Sequence, residues 1–285
     1  MAELPAIGPG APRWCVWAWA AVVAALWPQP AAAQQLQYPL AVAAADEKGP
    51  YVVDLNLPGV WRHASEGWEG VFQGGKQFRT PLHRPRCAAL DARGRLLVGD
   101  SATREVYRLG EDGMPAPLTN GGIGVPMDLV VAENGEILVS DLELHCIWRV
   151  PAEGGAPQKL ADVPSPRGLT LDGQGRLLVV SHGEHAVLRV DAAGQIEPVV
   201  SGTPFQFPHD LVPSQDGGLI VSDGYAKTLW KVNAQGEAAA WVHGEPLVNP
   251  VGLAWYQQML LVADPHARSV FQVDAQGKVQ PFGGP

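Results

Sequence analysis

The sequence has little cysteine, little basic charge and few long apolar runs. It contains three cysteines, and only Cys87 and Cys146 lie beyond residue 33, which is too few for a disulfide framework. Its 20 basic residues are outnumbered by 29 acidic ones, and the formal net charge is −9. A chain this acidic has no electrostatic attraction to nucleic acid or to anionic lipid, and we expect neither as a partner.

The one long apolar run lies at the amino end. It covers residues 14–27, follows Arg13 and is followed by Ala31-Ala32-Ala33. This order is typical of a secretory signal peptide, and the run is shorter than the roughly 20 residues that span a bilayer. We therefore predict a signal peptide at residues 1–33 and one secreted or periplasmic domain at residues 34–285, monomeric and without membrane association. An uncleaved membrane anchor is the alternative.

In the mature chain, apolar residues show no sustained period of 3.6 residues, which would indicate helices. The chain shows a longer sequence repeat instead. A proline that opens an apolar run recurs at intervals of 40 to 46 residues, at Pro39, Pro85, Pro126, Pro166, Pro208 and Pro250. A second landmark follows each proline after 14 or 15 residues, at Asp54, Asp100, Asp141, Ser181, Asp223 and Asp264. Two landmarks that keep step six times indicate six copies of one structural unit.

Each repeat contains four short runs rich in valine, isoleucine and leucine. In the fourth repeat they cover residues 168–171, 177–180, 187–190 and 196–200, with Asp/Gly turns between the first two and the last two. Such runs are typical of strands. The sequence thus predicts an all-β, six-bladed β-propeller with four antiparallel strands per blade. It leaves open whether the ring closes blade by blade or whether residues 34–37 add a strand to the last blade.

One repeat carries a resemblance to a known family. The segment Pro208-His209-Asp210-Leu211, followed by Leu219-Ile220-Val221-Ser222-Asp223, resembles the NHL repeat, and the resemblance extends over residues 38–285. It implies a six-bladed propeller. It implies no single activity, because this fold hosts sensors, scaffolds and enzymes alike.

Two enzyme families on related propellers are also similar. Calcium-dependent lactonases of the gluconolactonase type have an Asn-Gly pair after the proline, where this chain has Arg167-Gly168 and Val251-Gly252. The segment Val221–Tyr225 resembles the catalytic tyrosine segment of peptidylglycine amidating lyase, which implies Tyr225 and Arg86 as candidate site residues. Of the zinc histidines in that family only His209 has a counterpart. We expect no metal site, and the cofactor requirement is left open.

The strand order predicts where a site would lie. In an antiparallel sheet the loop before the first strand and the loop between the second and third open on one face, here called the site face. Six of the eight histidines fall in or beside these loops: His83, His145, His182, His185, His209 and His266. They are either solvated loop residues or the lining of a polar, titratable funnel.

The residue after each landmark proline should lie closest to the propeller axis. These residues are Leu40, Arg86, Met127, Arg167, His209 and Val251. An arginine presents a planar fork of donors that suits carboxylate or phosphate. We predict that Arg86, Arg167, His209 and Tyr225 converge on an anionic ligand and that Met127 and Val251 hold its hydrocarbon part.

Two further expectations concern these side chains. His209 would gain charge as the pH falls through about 6.5, the ordinary pKa of histidine, and would then strengthen anion binding. Alternatively, Arg86 and Arg167 pair with Asp128 and Asp210, the next residues along equivalent strands, and no ligand site exists.

The sequence therefore favours an exported propeller that binds a small molecule or peptide, with a preference for anions, at its axial mouth. One alternative is a lyase or lactone hydrolase, and a second is a protein-interaction scaffold. Whether the protein is an enzyme stays open. Cys87 and Cys146 are placed on strands roughly 10 Å apart, beyond the reach of a disulfide, so we predict two free, buried thiols.

Overall fold

The computed structural model describes residues 35–44, 49–65, 67–77 and 80–283. The predicted signal peptide at residues 1–33 lies outside these ranges. The described residues form 24 strands and no helix. Consequently, none of them belongs to a helix that is long and apolar enough to cross a membrane.

The strands form six sheets of four, each built from consecutive strands. Blades one and two contain β1 (Pro39–Ala43), β2 (Tyr51–Asp54), β3 (Gly59–Ala64), β4 (Gly67–Gln73), β5 (Pro85–Leu90), β6 (Leu96–Asp100), β7 (Glu105–Leu109) and β8 (Pro115–Pro117). Blades three and four contain β9 (Pro126–Val131), β10 (Ile137–Asp141), β11 (Cys146–Val150), β12 (Gln158–Asp162), β13 (Pro166–Leu171), β14 (Leu177–Ser181), β15 (Val187–Val190) and β16 (Ile196–Val200). Blades five and six contain β17 (Pro208–Pro213), β18 (Leu219–Asp223), β19 (Thr228–Val232), β20 (Ala238–His243), β21 (Leu253–Tyr256), β22 (Met259–Asp264), β23 (Ser269–Val273) and β24 (Val279–Pro281).

All neighbouring strands within a blade pair antiparallel, so the predicted architecture is confirmed. Burial follows the position of a strand in its blade. The second strands β6, β10, β14 and β18 are buried at every residue, because an adjacent blade covers each of their faces. The outermost strands, such as β16, are largely exposed. This gradient explains why the second strand of each repeat reads as an unbroken apolar run.

Apolar contacts between adjacent blades hold the ring together. Between blades four and five, Val180 and Val187 pack against Leu211 and Val221, and all four side chains are essentially inaccessible to solvent. Burying a valine or leucine side chain stabilises a fold by roughly 1.5–3 kcal/mol. Similar clusters lie at the other blade junctions.

The landmark aspartates organise the site face. Asp223 is fully buried. Its Oδ2 accepts a hydrogen bond from Gln206 N at 2.7 Å, and its Oδ1 accepts from Phe207 N at 2.9 Å and from Ala226 N at 3.1 Å. One carboxylate thus fixes both the loop before its blade and the loop after the second strand. Equivalent residues hold the corresponding loops of the other blades: Asp54, Asp100, Asp141, Ser181 and Asp264.

The ring closes blade by blade. The last sheet contains only β21 to β24, and residues 35–37 add no strand to it. Leu36 is instead buried in an apolar cluster with Trp61 of the first blade and Val251 and Val270 of the last. Closure therefore rests on side-chain packing, which settles the alternative that the sequence left open.

Both cysteines of the described chain are free and buried, as predicted. Burial raises the pKa of the Cys146 thiol to about 12 and that of Cys87 well above its ordinary value, so neither is a reactive thiolate. In the native chain cleaved after Ala33, we expect iodoacetamide to modify neither thiol. In denaturant without reductant it should add two groups per chain, as read by intact mass. A mass two daltons low that reductant restores would contradict this prediction.

Candidate active site at the propeller axis

A cavity of about 270 Å³ opens at the axis on the site face. Two residues of each blade line it, the first and the second after the landmark proline. The first positions are Leu40, Arg86, Met127, Arg167, His209 and Val251, and the second are Ala41, Cys87, Asp128, Gly168, Asp210 and Gly252. The structure thus brings five of the six predicted site residues to one cavity, and Tyr225 lies at its rim.

The two arginines are not neutralised by acidic partners. Arg86 donates from Nε to Ser101 Oγ at 3.1 Å, and Arg167 Nε is buried without a hydrogen-bond partner in the described structure. Burial lowers the pKa of both guanidinium groups, and the charge of Arg86 further lowers the pKa of Arg167. Two repelling cations in one cavity attract an anion, and a carboxylate would satisfy the free donor.

The alternative that ties these arginines to Asp128 and Asp210 is wrong. Each oxygen of Asp128 accepts a backbone N–H, from Leu129 at 2.8 Å and from Leu169 at 2.7 Å. Asp210 does the same in blade five. Within the described ranges, no ion pair includes either arginine of the cavity.

The two aspartates are themselves perturbed. Burial raises the pKa of Asp128 to about 7. It raises the pKa of Asp210 well above its ordinary value, and the charge of Asp128 adds to that shift. Both residues lie deep in the ring yet keep part of their surface exposed, because they line the cavity. Two carboxyl groups whose pKa values are raised therefore face the space that a bound molecule would occupy.

His209 stays neutral at physiological pH, which corrects the expectation that it titrates near 6.5. Burial lowers its pKa to about 3, and the charges of Arg167, His182 and His266 act in the same direction. Its ring lies close against Gly224, where an added Cβ would be 2.9 Å from Nε2. His209 thus offers a neutral hydrogen-bonding group and no pH-dependent charge.

This shift predicts an acid-sensitive fold. The folded pKa lies below the unfolded value of 6.5, so the unfolded chain binds the proton first, and stability falls as the pH drops from about 6.5 towards 3. The free energy of unfolding then falls by at most ~1.4 kcal/mol per pH unit. We expect the melting temperature of His209→Gln to fall less than that of the parent between pH 6.5 and 4. Replacing the exposed His243 by Gln is the control, and equal slopes in all three proteins would contradict the expectation.

An aromatic cluster that the sequence did not reveal surrounds Phe207. Its ring stacks on Tyr225 at 4.5 Å between centroids and meets the edges of His182 and His209 at 4.5 and 5.1 Å. The Arg167 guanidinium lies 5.1 Å from the ring centroid, a cation–π contact. Tyr225 is 67% exposed, so it extends this cluster outward rather than lining the cavity.

A signal for Phe207 was present in the repeat. It precedes a landmark proline, and the same position holds Tyr38 and Asn249, which line the cavity. In two blades the residue before the proline thus lines the cavity mouth as well. Its side chains differ in every blade, so the repeat alone did not mark them.

The side chains of the cavity do not form a ligand set that suits a metal ion. Its first ring offers two cationic, three apolar and only one imidazole side chain, and every carboxylate oxygen of Asp128 and Asp210 already accepts a backbone N–H. Across the described residues no three His, Cys, Asp or Glu side chains are grouped as metal ligands. Other site-face histidines contact backbone, as His182 does at Pro208 O.

The chain was compared with known proteins, and only solved structures match it. No protein-family model and no curated protein matches the chain. Among solved structures, a gluconolactonase from Xanthomonas campestris matches with a TM-score of 0.70 and 18% identity over 87% of each chain. Virginiamycin B lyase from Staphylococcus aureus matches with a TM-score of 0.68 and 15% identity over 87% of this chain and 86% of the lyase.

A chain from a complex of two proteins is similar to the same degree. A chain of the nidogen/laminin complex matches with a TM-score of 0.67 and 17% identity over 87% of this chain and 93% of its own. At such identities the likeness establishes the fold alone. The chain is a six-bladed β-propeller that matches the gluconolactonase-like and virginiamycin B lyase propellers.

Proposed function

We propose that the axial cavity is the active site of a propeller enzyme, a lyase or hydrolase, whose substrate is a small carboxylate or a carbonyl compound that becomes anionic during reaction. The observation that carries this proposal is the pair Arg86 and Arg167, half-buried without acidic partners beside Asp128 and Asp210. The propellers of a gluconolactonase and of virginiamycin B lyase show that the fold supports both reaction classes. Membership of the NHL-repeat family stays a prediction.

The cavity divides into a charged and an apolar side. The guanidinium groups would hold a carboxylate, or an oxygen on which charge develops, by charge-assisted hydrogen bonds in a site of low dielectric. Leu40, Met127 and Val251 supply the apolar wall for a short hydrocarbon segment. This division fits a ligand with a charged end and an apolar end.

A second candidate is ligand binding without turnover. It is favoured by the bonds of Asp128 and Asp210 to the backbone of the next blade, at Leu169 and Leu253, because these bonds give both carboxylates a structural task. Turnover separates the two candidates, whereas anion binding is common to both.

The first test is calorimetric titration of the mature chain with hexanoate and with hexanamide, its neutral isostere. We expect hexanoate to bind at least ~10-fold more tightly, since a charge-assisted hydrogen bond contributes about 1.5–3 kcal/mol. Equal or absent binding of the two compounds would overturn the proposal.

The second test is turnover in the presence of a chelator. Hydrolysis of glucono-δ-lactone is followed by pH-stat, and opening of quinupristin, the compound bound in a solved virginiamycin B lyase structure, is followed by mass spectrometry. Turnover of either supports the enzyme. Tight hexanoate binding with no turnover of either favours the second candidate.

Export is a separate proposal, and it rests on the signal-peptide pattern of residues 1–33. The protein recovered from the periplasm or the medium should begin at Gln34. Amino-terminal sequencing tests this, and a chain that still begins at Met1 would contradict it.

A further inference from the structure

We infer that Asp128 and Asp210 form one proton-sharing pair and act as the acid and base of the axial cavity. This inference rests on the proposed function for its substrate, but the pair itself is argued from geometry.

The two carboxylates converge on the same stretch of β13. Asp128 Oδ2 accepts a hydrogen bond from Leu169 N at 2.7 Å. Asp210 lies against the preceding residue, and a Cβ added to Gly168 would be only 2.5 Å from Asp210 Oδ1. The carboxylates of blades three and five therefore approach adjacent residues of blade four, and both line the cavity.

The sequence makes room for this arrangement. At the second position after the proline, blades three to six alternate between aspartate and glycine: Asp128, Gly168, Asp210 and Gly252. A side chain at Gly168 would collide with the backbone of Asp210. The aspartates occur only where the next blade has glycine at this position. Each aspartate is thus matched by a glycine that leaves space for it.

Each carboxylate is also held rigidly. Ser140 Oγ accepts from Asp128 N at 2.9 Å and donates to Arg167 O at 2.6 Å. Ser222 repeats this arrangement for Asp210, with Val251 O as its acceptor. The carboxylates therefore have fixed orientations, which proton transfer to a bound molecule requires.

Hydrogen bonding between adjacent blades does not by itself require aspartate at these two positions. One acceptor oxygen per blade junction is enough for a link to Leu169 or Leu253, and asparagine supplies it without charge. Two carboxylates that line one small cavity cannot both ionise easily, and like charges in one site separate their protonation steps.

The groups that face the pair come from every side of the cavity. They are Tyr38, Arg86, Cys87, Arg167 and His209, together with the uncharged Asn249. Burial opposes ionisation of both carboxyls, and the charge of Asp128 further raises the pKa of Asp210. We therefore expect the pair to hold one proton at neutral pH.

Such a pair can carry out both proton transfers of an elimination without any other reactant. The ionised carboxylate takes a proton from a C–H bond, whose electrons form the new C=C bond. The C–O bond on the adjacent carbon breaks, and its electron pair stays on the oxygen, which takes the proton of the second carboxyl. In hydrolysis the first proton comes from the attacking water instead. In both cases the pair starts and ends with one proton.

The first test needs no substrate. In an infrared titration of the mature chain, we expect one buried carboxyl to remain protonated at pH 7, well above the ordinary aspartate range. Asp128→Asn and Asp210→Asn should each shift that signal to lower pH, because the remaining carboxyl no longer faces a second carboxylate. The exposed Asp162→Asn should leave it unchanged. Full ionisation of both carboxyls at pH 7 would overturn the inference.

The second test separates this inference from the proposed function. Each asparagine variant should lower kcat by roughly 10²–10⁴-fold, the usual contribution of general acid–base catalysis, and should bind hexanoate within about threefold of the parent. Variants that keep the parent kcat would show that the pair only joins blades. Failure of the parent to bind hexanoate would instead refute the proposed function, and the infrared result would still decide whether a proton is shared.

Discussion

Replacing Asp223 by alanine is expected to destabilise the propeller by about 3–5 kcal/mol, the range for removing one partner of a buried charged network. The change leaves the N–H groups of Gln206, Phe207 and Ala226 without their acceptor, and an unsatisfied buried donor costs about 1–3 kcal/mol. Equilibrium unfolding in urea, with the slope checked for two-state behaviour, measures the loss.

The matched control is Asp216→Ala in the same blade. Asp216 lies in an exposed turn, where it pairs with Lys231 at 3.6 Å, and a surface pair contributes at most about 1 kcal/mol. Asp223→Asn should be intermediate, since its amide keeps only one of the two acceptor oxygens. Equal losses for the two alanine variants would show that the landmark aspartates do not organise the site face.

Replacing Arg167 by alanine is expected to weaken hexanoate binding by about 1.5–3 kcal/mol, which corresponds to ~10- to 150-fold in the dissociation constant. The reason is the loss of a buried guanidinium whose Nε has no partner in the described structure. Binding of hexanamide should change little. Calorimetric titration of both compounds gives the two dissociation constants.

Two further variants sharpen this experiment. Arg167→Lys should recover only part of the affinity, because an ammonium lacks the bidentate fork. Arg176→Ala is the control. Arg176 belongs to the same blade, lies away from the axis and pairs with Asp172 at 2.8 Å, so its replacement should leave hexanoate binding unchanged. If Arg167→Ala binds hexanoate as tightly as the parent, Arg167 does not form an anion site.

The fold was predictable because its determinants are spaced along the chain with one period. The landmark aspartates recur because five of the six blades fix their site-face loops with one buried carboxylate, and Ser181 takes this role in the fourth blade. The residue after each proline faces the axis in all six blades, so one geometric argument located Arg86, Arg167 and His209 together.

The electrostatics of the site could not be predicted in the same way. The backbone donors to Asp128 and Asp210 include the N–H groups of Leu169 and Leu253, about 40 residues away in the next blade, and no local pattern marks them. Sequence reasoning therefore left open whether these carboxylates pair with the arginines. The lowered pKa of His209 has the same origin, since its depth in the ring exists only after six blades assemble.

The crystal structure of the mature chain with 6-bromohexanoate tests the central claim most directly. Anomalous scattering locates the bromine independently of the carboxylate. The account predicts the carboxylate between Arg86 and Arg167 and the bromine against Met127 and Val251 within the axial cavity. Bromine found only outside this cavity, with both arginines turned towards protein carboxylates, would contradict it.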